Sequence, residues 1–162
     1  MKSGMRRTIR RRRYEAKTDY KSRFTLLKSG KPRLVIRKTN RYVIAQVVVS
    51  EVAQDKVISG LTSKALIEKG WPKEKEGSLK NMAAAYLTGF LLAKKIKDKV
   101  DEVIVDFGMN RNVKKSRIYA VVRGAIDGGL KMNVGENILP EIKELKIDDK
   151  IKPVFDKLVK EK

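Results

Sequence analysis

Three runs of apolar and β-branched residues follow one another in the first part of the chain. They span residues 33–38, 42–49 and 56–61, and the first comes directly after Gly30-Lys31-Pro32. β-branched residues favour strands, and the short polar break at Thr39-Asn40 suits a tight turn between two of them. The pattern predicts an antiparallel hairpin that a third strand extends into a meander.

Apolar residues at three- and four-residue spacing predict two longer helices further along the chain. Ser78 is a suitable N-cap for the first, which ends among the lysines of residues 94–99, where positive charge suits the helix dipole. The second spans residues 116–127 and stops at Gly128-Gly129. Residues 102–106 form a buried strand between these helices. The pattern also predicts a short helix over 62–69 and one or two more after Glu136. A helix that joins strands indicates an α/β layered fold.

Positive charge is concentrated near the start of the chain. The whole sequence carries 39 Lys and Arg against 19 Asp and Glu, a formal charge of +20. Residues 1–41 hold 16 of these cations and only Glu15 and Asp19, so they contribute 16 − 2 = +14. Arg6, Arg7 and residues 10–13 form an arginine cluster that cannot lie against a core without desolvating charge. The cluster predicts an arm that neutralises phosphate. A solvated or nuclear-targeting tail is the alternative.

The absence of Cys and His removes most enzymatic chemistry. Thiol nucleophiles, Ser-His triads, haem and His-ligated zinc are all excluded. Asp55, Asp106 and Asp127 could be imagined as a two-metal nuclease cluster. Their spacing gives no support, and structural roles are the simpler interpretation. We therefore predict a protein that is not an enzyme and needs no metal or cofactor.

Membrane and export signals are also missing from the pattern. Residues 1–13 are basic and lack the apolar stretch of a secretory signal. The longest apolar stretch, residues 82–93, is too short to span a bilayer. We expect a cytoplasmic location.

Three further segments combine cations with groups that contact RNA. Residues 17–23 interleave Tyr20 with cations and hydroxyls, which suits stacking of an unpaired base, although Thr18 as a helix cap and Tyr20 at a core edge are equally open. In the hairpin, strand alternation would point Arg33, Arg37, Lys38 and Arg41 outward, as an RNA-binding or merely solubilising face. Residues 110–117 precede a helix, so phosphate could meet cations and free N–H groups there. An ordinary hinge loop is the alternative.

Several of these segments, read in order, resemble a known family. They include the arginine run before Tyr14, Lys17-Thr18-Asp19-Tyr20, residues 29–35, residues 84–89 and residues 123–130. This ordered set resembles the 5S rRNA-binding proteins of the large ribosomal subunit, the family whose bacterial member is numbered eighteen. The segment at residues 17–20 and the residues past 135 are similar to the archaeal type.

The resemblance implies a fold, a location and partners. The expected fold is a three-layer α/β domain with a mixed sheet, ribonuclease H-like but without catalysis. The expected arrangement is an N-terminal arm (residues 1–30), an α/β domain (31–135) and a helical C-terminal extension (136–162). The expected role is to hold 5S rRNA on 23S rRNA in the central protuberance of the ribosome, beside neighbouring large-subunit proteins. The implied RNA contacts are Arg6, Arg7, Arg10, Arg11, Arg12, Arg13, Lys17, Thr18, Asp19, Tyr20, Arg23, Arg33, Arg37, Lys38, Thr39, Asn40, Arg41, Arg111, Lys114, Lys115 and Arg117.

Overall fold

A four-stranded mixed sheet forms the middle layer of the fold. The computed structural model describes residues 8–52, 54–100, 102–145 and 147–160. The strands are β1 (Arg33–Lys38), β2 (Val43–Glu51), β3 (Gln54–Thr62) and β4 (Ile104–Asp106), in the order β3-β2-β1-β4. β1 and β2 pair antiparallel, as do β2 and β3, while β4 runs parallel to β1. The predicted meander and mixed sheet are both confirmed.

Helices flank the sheet and complete the α/β fold. They are α1 (Arg11–Tyr14), α2 (Tyr20–Lys28), α3 (Ala65–Glu68), α4 (Met82–Ile96), α5 (Arg117–Asp127) and α6 (Lys152–Lys160). Short 3₁₀ turns occupy Lys73–Ser78, Glu136–Ile138 and Ile142–Leu145. In the part of the chain that the structure describes, no helix is long and apolar enough to cross a membrane.

The main core lies between one face of the sheet and the helices α4, α5 and α6. Alternate residues of β1 and β2, including Leu34, Ile36, Ala45 and Val47, are fully buried there. Strand alternation puts every second side chain of these strands on this face. α4 is buried along nearly its whole length because it packs against both the sheet and α5.

Two glycines let the backbones of α4 and α5 approach each other closely. A Cβ added at Gly89 would overlap the carbonyl oxygen of Val121, and one added at Gly124 would overlap that of Tyr86. The contact is reciprocal, so each helix presents a glycine to the backbone of the other. This packing fixes where α5 begins and therefore where the loop before it lies.

The start of α4 differs from the prediction. Asn81, rather than Ser78, is the N-cap, since its side-chain oxygen accepts a hydrogen bond from the N–H of Ala84 at 2.7 Å. Ser78 lies in the preceding 3₁₀ turn and donates its hydroxyl to the carbonyl of Lys75. Both residue types favour caps, so propensity alone could not choose between them.

The C-terminal segment belongs to the main core. Leu145, Ile151 and Leu158 are buried, and the ring of Phe155 lies 5.3 Å from that of Tyr86 on α4. Ile142 lies in the same segment, but 45% of it is exposed. Residues 142–158 therefore help to close the core over α4.

The second face of the sheet carries a buried charge network centred on Arg33. The side chain is 1% exposed, and its guanidinium donates to Asp106 Oδ2 at 2.8 Å and to Asp55 Oδ1 at 2.6 Å. Asp106 also accepts hydrogen bonds from Arg37 and from the N–H of Gly108. Arg23 of α2 donates to Asp55 at 2.9 Å, which ties the outer helix to the sheet.

The prediction that Arg33 points outward as part of a basic face is wrong. Strand alternation does place Arg33 on the face of the sheet away from Leu34. On that face, however, two carboxylates bind its guanidinium, and Arg23 of α2 joins the same network. Arg37 is 42% exposed in its side chain, yet its Nη atoms bind Asp106. Strand alternation determines on which face of the sheet an arginine lies. Only the residues packed around it determine whether that face is exposed to solvent.

We expect Gly89→Ala and Gly124→Ala to destabilise the fold. Each adds a methyl group against a backbone carbonyl, and overpacking of this kind costs about 1–3 kcal/mol. The free energy of unfolding in urea measures the loss. Gly77→Ala is the control because an added Cβ there has no neighbour within 4 Å. Equal stability of all three variants would contradict the close approach of α4 and α5.

We expect Arg33→Met to lower the free energy of unfolding by about 3–5 kcal/mol, because it leaves carboxylates without their shared buried cation. Lys31→Met is the matched control, since its ion pair with Glu102 is half exposed and is worth at most about 1 kcal/mol. Urea denaturation of both variants measures the difference. Similar losses in the two variants would show that the buried network adds nothing to stability.

Asp55 should contribute to the acid sensitivity of the fold. Partial burial acts to raise its pKa, but hydrogen bonds from Ser50, Arg23 and Arg33 outweigh burial and lower the pKa below its ordinary value. The Asp55 carboxyl therefore binds a proton more readily in the unfolded chain than in the folded one. Its ionised form stabilises the fold above about pH 4, and this stabilisation is lost as the pH falls through the folded-state pKa.

We accordingly expect the unfolding free energy of the parent to fall more steeply below about pH 4 than that of Asp55→Asn. Urea unfolding at a series of pH values and constant ionic strength measures the slopes. Asp149→Asn, which removes an exposed acid elsewhere, should keep the slope of the parent. An unchanged slope in Asp55→Asn would rule out this origin of the acid sensitivity.

Candidate nucleic-acid interface

The arginine cluster lies on the surface in and beside a short helix. Arg10 to Arg13 are exposed, and three of them lie within α1. The chain then turns back at Ala16, whose φ of 52° is in the left-handed region. The carbonyl of Arg12 accepts the N–H groups of Lys17 and Thr18, and its guanidinium donates to the Thr18 hydroxyl at 2.9 Å. Arg6 and Arg7 lie outside the described residues.

The segment at residues 17–20 starts α2 and orients the arm. Asp19 is the N-cap, with its carboxylate accepting from the N–H groups of Lys21 and Ser22. The alternative that Thr18 caps this helix is therefore wrong. Tyr20 is half-buried, and the guanidinium of Arg10 lies 4.7 Å from the centre of its ring.

The ion pairs within the arm are exposed and weak. Glu15 lies 3.8 Å from Arg11 and 2.8 Å from Lys17, while Asp19 lies 3.9 Å from Arg13. Exposed pairs of this kind are worth at most about 1 kcal/mol, so phosphate can compete for the cations. Residues 10–19 hold five cations and two acids, so this part of the arm keeps a net positive charge.

The arm meets the basic loop, which we define as residues 108–117. Arg13 Nη1 lies 3.5 Å from Met109 Sδ, although the two residues are 96 positions apart in sequence. Nearby, a small cleft of about 110 Å³ is lined by Arg12, Lys17, Arg23, Arg37 and Gly108, among others. The fold thus brings two separately predicted contact segments to one side of the molecule.

Most cations of the basic loop and of the β1–β2 turn have no carboxylate partner. Arg111, Lys114 and Arg117 are exposed, and the structure gives them no ion pair within its described ranges. Lys38 and Arg41 are likewise exposed and unpaired there. Thr39 and Asn40 lie between these two residues at the surface, with the Thr39 hydroxyl bonded to the backbone of Tyr42.

Lys115 differs from its neighbours because it holds the loop to the C-terminal segment. Its ammonium lies 2.5 Å from Glu144 Oε1, and its N–H donates to the carbonyl of Ile138. The hydrogen bond raises the pKa of Lys115 and lowers that of Glu144. Its φ of 55° is in the left-handed region, which turns the chain into α5. Lys115 therefore fixes the conformation of the basic loop and also adds to its positive charge.

The carboxylates considered for a nuclease have other partners. Asp55 and Asp106 both bind Arg33, so a guanidinium occupies the space between them. Asp127 accepts from the hydroxyl of Tyr86 and from Arg123. Burial and this hydrogen bond both raise the pKa of Tyr86. Among the described residues, no group of acids is arranged to hold a metal ion.

Two features near these cations were not predicted from the sequence. Phe24 on α2 is 67% exposed and lies between Lys21 and Lys28 on the outer side of that helix. Lys80 precedes α4 but shares a cavity with Arg117, the first residue of α5. Phe24 could have been found from its place among lysines, whereas Lys80 is brought to the loop only by the packing of α4 on α5.

Comparison with known proteins shows the family of the chain. The family model described as ribosomal large subunit proteins 60S L5 and 50S L18 matches residues 5–103. The chain is 45% identical over 137 residues to large ribosomal subunit protein uL18 of Methanoculleus marisnigri, covering 84% of this chain and 76% of the relative. The uL18 protein of Thermofilum pendens is 47% identical over 132 residues, with coverages of 81% and 65%.

A third archaeal relative, the uL18 protein of Korarchaeum cryptofilum, is 44% identical over 141 residues, which cover 86% of this chain and 70% of the relative. The aligned region in these relatives is longer than the region that the family model matches. The chain belongs to the family of ribosomal large-subunit proteins 60S L5 and 50S L18.

Proposed function

We propose that this protein binds 5S rRNA and helps to attach it to 23S rRNA in the central protuberance, beside neighbouring large-subunit proteins. Membership of the family makes the chain a structural constituent of the large ribosomal subunit and not an enzyme. What we propose beyond this is the RNA that the protein binds, its attachment to 23S rRNA and the position of the protein in the subunit.

The proposal rests on one observation: the fold pairs some of its cations with carboxylates and leaves others at the surface without a strong partner. Carboxylates pair with Arg33 and Arg37 on the sheet and with Arg23 on α2. Among the described residues, the cations of residues 10–17, of the β1–β2 turn and of the basic loop are mostly free or weakly paired. A protein with a formal charge of +20 repels itself unless a polyanion neutralises it. Free cations on one connected surface suit the phosphates of a structured RNA.

The arm supplies the electrostatic part of this binding. Arginine holds phosphate with two parallel hydrogen bonds and stacks on bases, which lysine does not do as well. Tyr20 lies beneath the guanidinium of Arg10, and this pair offers a flat cationic surface to an unpaired base. Asp19 caps α2 and so acts by holding Tyr20 and the arm in place.

The proposed contact set follows the sequence prediction except at Asp19, which holds the arm in place, and at Arg33, Arg23 and Arg37. Arg33 is excluded because it is buried, and Arg23 and Arg37 contribute chiefly by shaping the cleft beneath the arm. Arg6 and Arg7 remain predictions from sequence. The other proposed contacts are Arg10, Arg11, Arg12, Arg13, Lys17, Thr18, Tyr20, Lys38, Thr39, Asn40, Arg41, Arg111, Lys114, Lys115 and Arg117.

We expect replacement of Arg10, Arg11, Arg12 and Arg13 by Ala to weaken binding to isolated 5S rRNA and to flatten its salt dependence. Each lost contact to duplex phosphate should reduce the slope of log K against log[salt] by about 0.9. Filter binding at several salt concentrations measures both quantities.

The matched control replaces Lys143, Lys150, Lys157 and Lys160 by Ala. All four are exposed in the C-terminal segment, and the change in net charge is the same. The control should keep nearly the slope of the parent. Equal effects of the two quadruple variants would mean that total charge alone, and not the arm, determines binding. Equal parental affinity for an unrelated RNA of the same length would contradict a specific 5S rRNA site.

A further inference from the structure

A surface groove crosses the starts of α4 and α5. Two adjoining cavities of about 450 and 580 Å³ share Met82 and Arg117, so they form one continuous depression, which we call the inter-helix groove. Each cavity falls within the range of about 300–1,000 Å³ that is usual for small-ligand sites. The arm is not among the residues that line it.

The rim of the inter-helix groove carries positive charges that no lining carboxylate neutralises. It contains Lys38, Lys80, Arg111 and Arg117, and no Asp or Glu lines either cavity. Elsewhere on the surface, Lys31, Lys75 and Lys150 do have carboxylate partners. Within the described ranges these four rim cations have none, so the groove attracts an anion.

One polar atom beside the groove lacks a partner. Ser116 holds the N-cap position of α5, yet its side chain makes no capping hydrogen bond, and its Oγ is buried without a hydrogen-bond partner. The first N–H groups of α5 are therefore not capped by this side chain, in contrast to those of α4, which Asn81 caps. Free N–H groups at a helix start add to the attraction for phosphate.

The floor of the groove is apolar and suited to a planar ring. Met82, Met109, Val113, Ile118 and Leu145 line it, and Met109 and Val113 are 40% and 55% exposed. Thioether sulfur makes favourable contacts with aromatic rings, and arginine guanidinium groups stack on bases. The groove thus combines a phosphate-binding rim with a floor that accepts a nucleobase.

We propose that the inter-helix groove binds one unpaired nucleotide of ribosomal RNA, with its phosphate at the cationic rim and its base on the apolar floor. The inference rests on the proposed function, because it takes the partner to be RNA, and it adds that one nucleotide of that RNA is unpaired where it meets the groove. The basic N-terminal arm of the chain is an unsuitable occupant, since its charge matches that of the rim.

An acidic amphipathic peptide is the competing occupant. Its carboxylates would match the rim charges, but an aliphatic peptide face gains little from stacking on the guanidinium planes and on the methionine sulfur atoms. A nucleotide uses these groups together with the floor. The test is designed so that a peptide contact counts against the proposal.

Photo-crosslinking in assembled large subunits tests the occupant directly. A benzophenone amino acid replaces Val113, which lines the groove, and in a control it replaces Val52, which is 99% exposed at the β2–β3 turn. We expect Val113 to crosslink to an unpaired nucleotide, which mapping assigns to 5S or 23S rRNA. Crosslinking to a protein, to a base-paired nucleotide, or at no more than the Val52 level would overturn the proposal.

A binding experiment on the isolated full-length chain separates the two parts of the site. The probes are a single-stranded oligouridylate and an RNA duplex of equal length. We expect Val113→Ala to weaken binding of the single strand about 3-fold or more without changing its salt slope, because an apolar contact to the base is lost and no contact to the arm is removed. Arg111→Gln with Arg117→Gln should weaken it and also flatten the slope.

The matched control is Lys143→Gln with Lys157→Gln, an equal loss of charge on the C-terminal segment. The parent and Val113→Ala should bind the duplex equally well. Equal losses of duplex and single-strand binding in Val113→Ala would overturn the nucleotide site while leaving 5S rRNA binding intact. Failure of the parent to bind 5S rRNA at all would instead overturn the proposed function.

Discussion

The sheet depends on one buried arginine held between two carboxylates. Arg33 on β1 binds Asp55 on β3 and Asp106 on β4, so a single guanidinium links three of the four strands. Removing such charges from water is favourable only when their hydrogen bonds are satisfied. Here Ser50, Arg23, Arg37 and Gly108 complete the set. The network attaches α2, and with it the arm, to the sheet.

This arrangement separates two uses of positive charge within one chain. Arginines on the sheet are neutralised by carboxylates and maintain the fold, whereas those at the surface keep their charge for a partner. Asp106 shows the link between the two, since it binds Arg33 in the interior and Arg37 beside the cleft beneath the arm. The shape of the cationic surface therefore depends on the buried network.

Helix packing adds the second constraint on that surface. Gly89 and Gly124 allow α4 and α5 to touch backbone to backbone, and this places Lys80 and Asn81 beside Arg117. The basic loop is held from the other side by Lys115 and Glu144. Met109 then reaches Arg13 of the arm. Segments from four parts of the sequence thus form one surface, although none of them is adjacent to another along the chain.

Local patterns determined the elements, the charge of the arm and the family. The strands near residues 33–61 and the helices after residues 78 and 116 followed from apolar spacing, since burial on one face imposes that spacing. The local patterns did not show which of the cations are exposed. Arg33 and Arg111 are the same residue type, but carboxylates 22 and 73 positions away pair with the first, and none in the described part of the chain pairs with the second. Long-range contacts decide whether a charge is neutralised within the protein, and only the tertiary structure contains them.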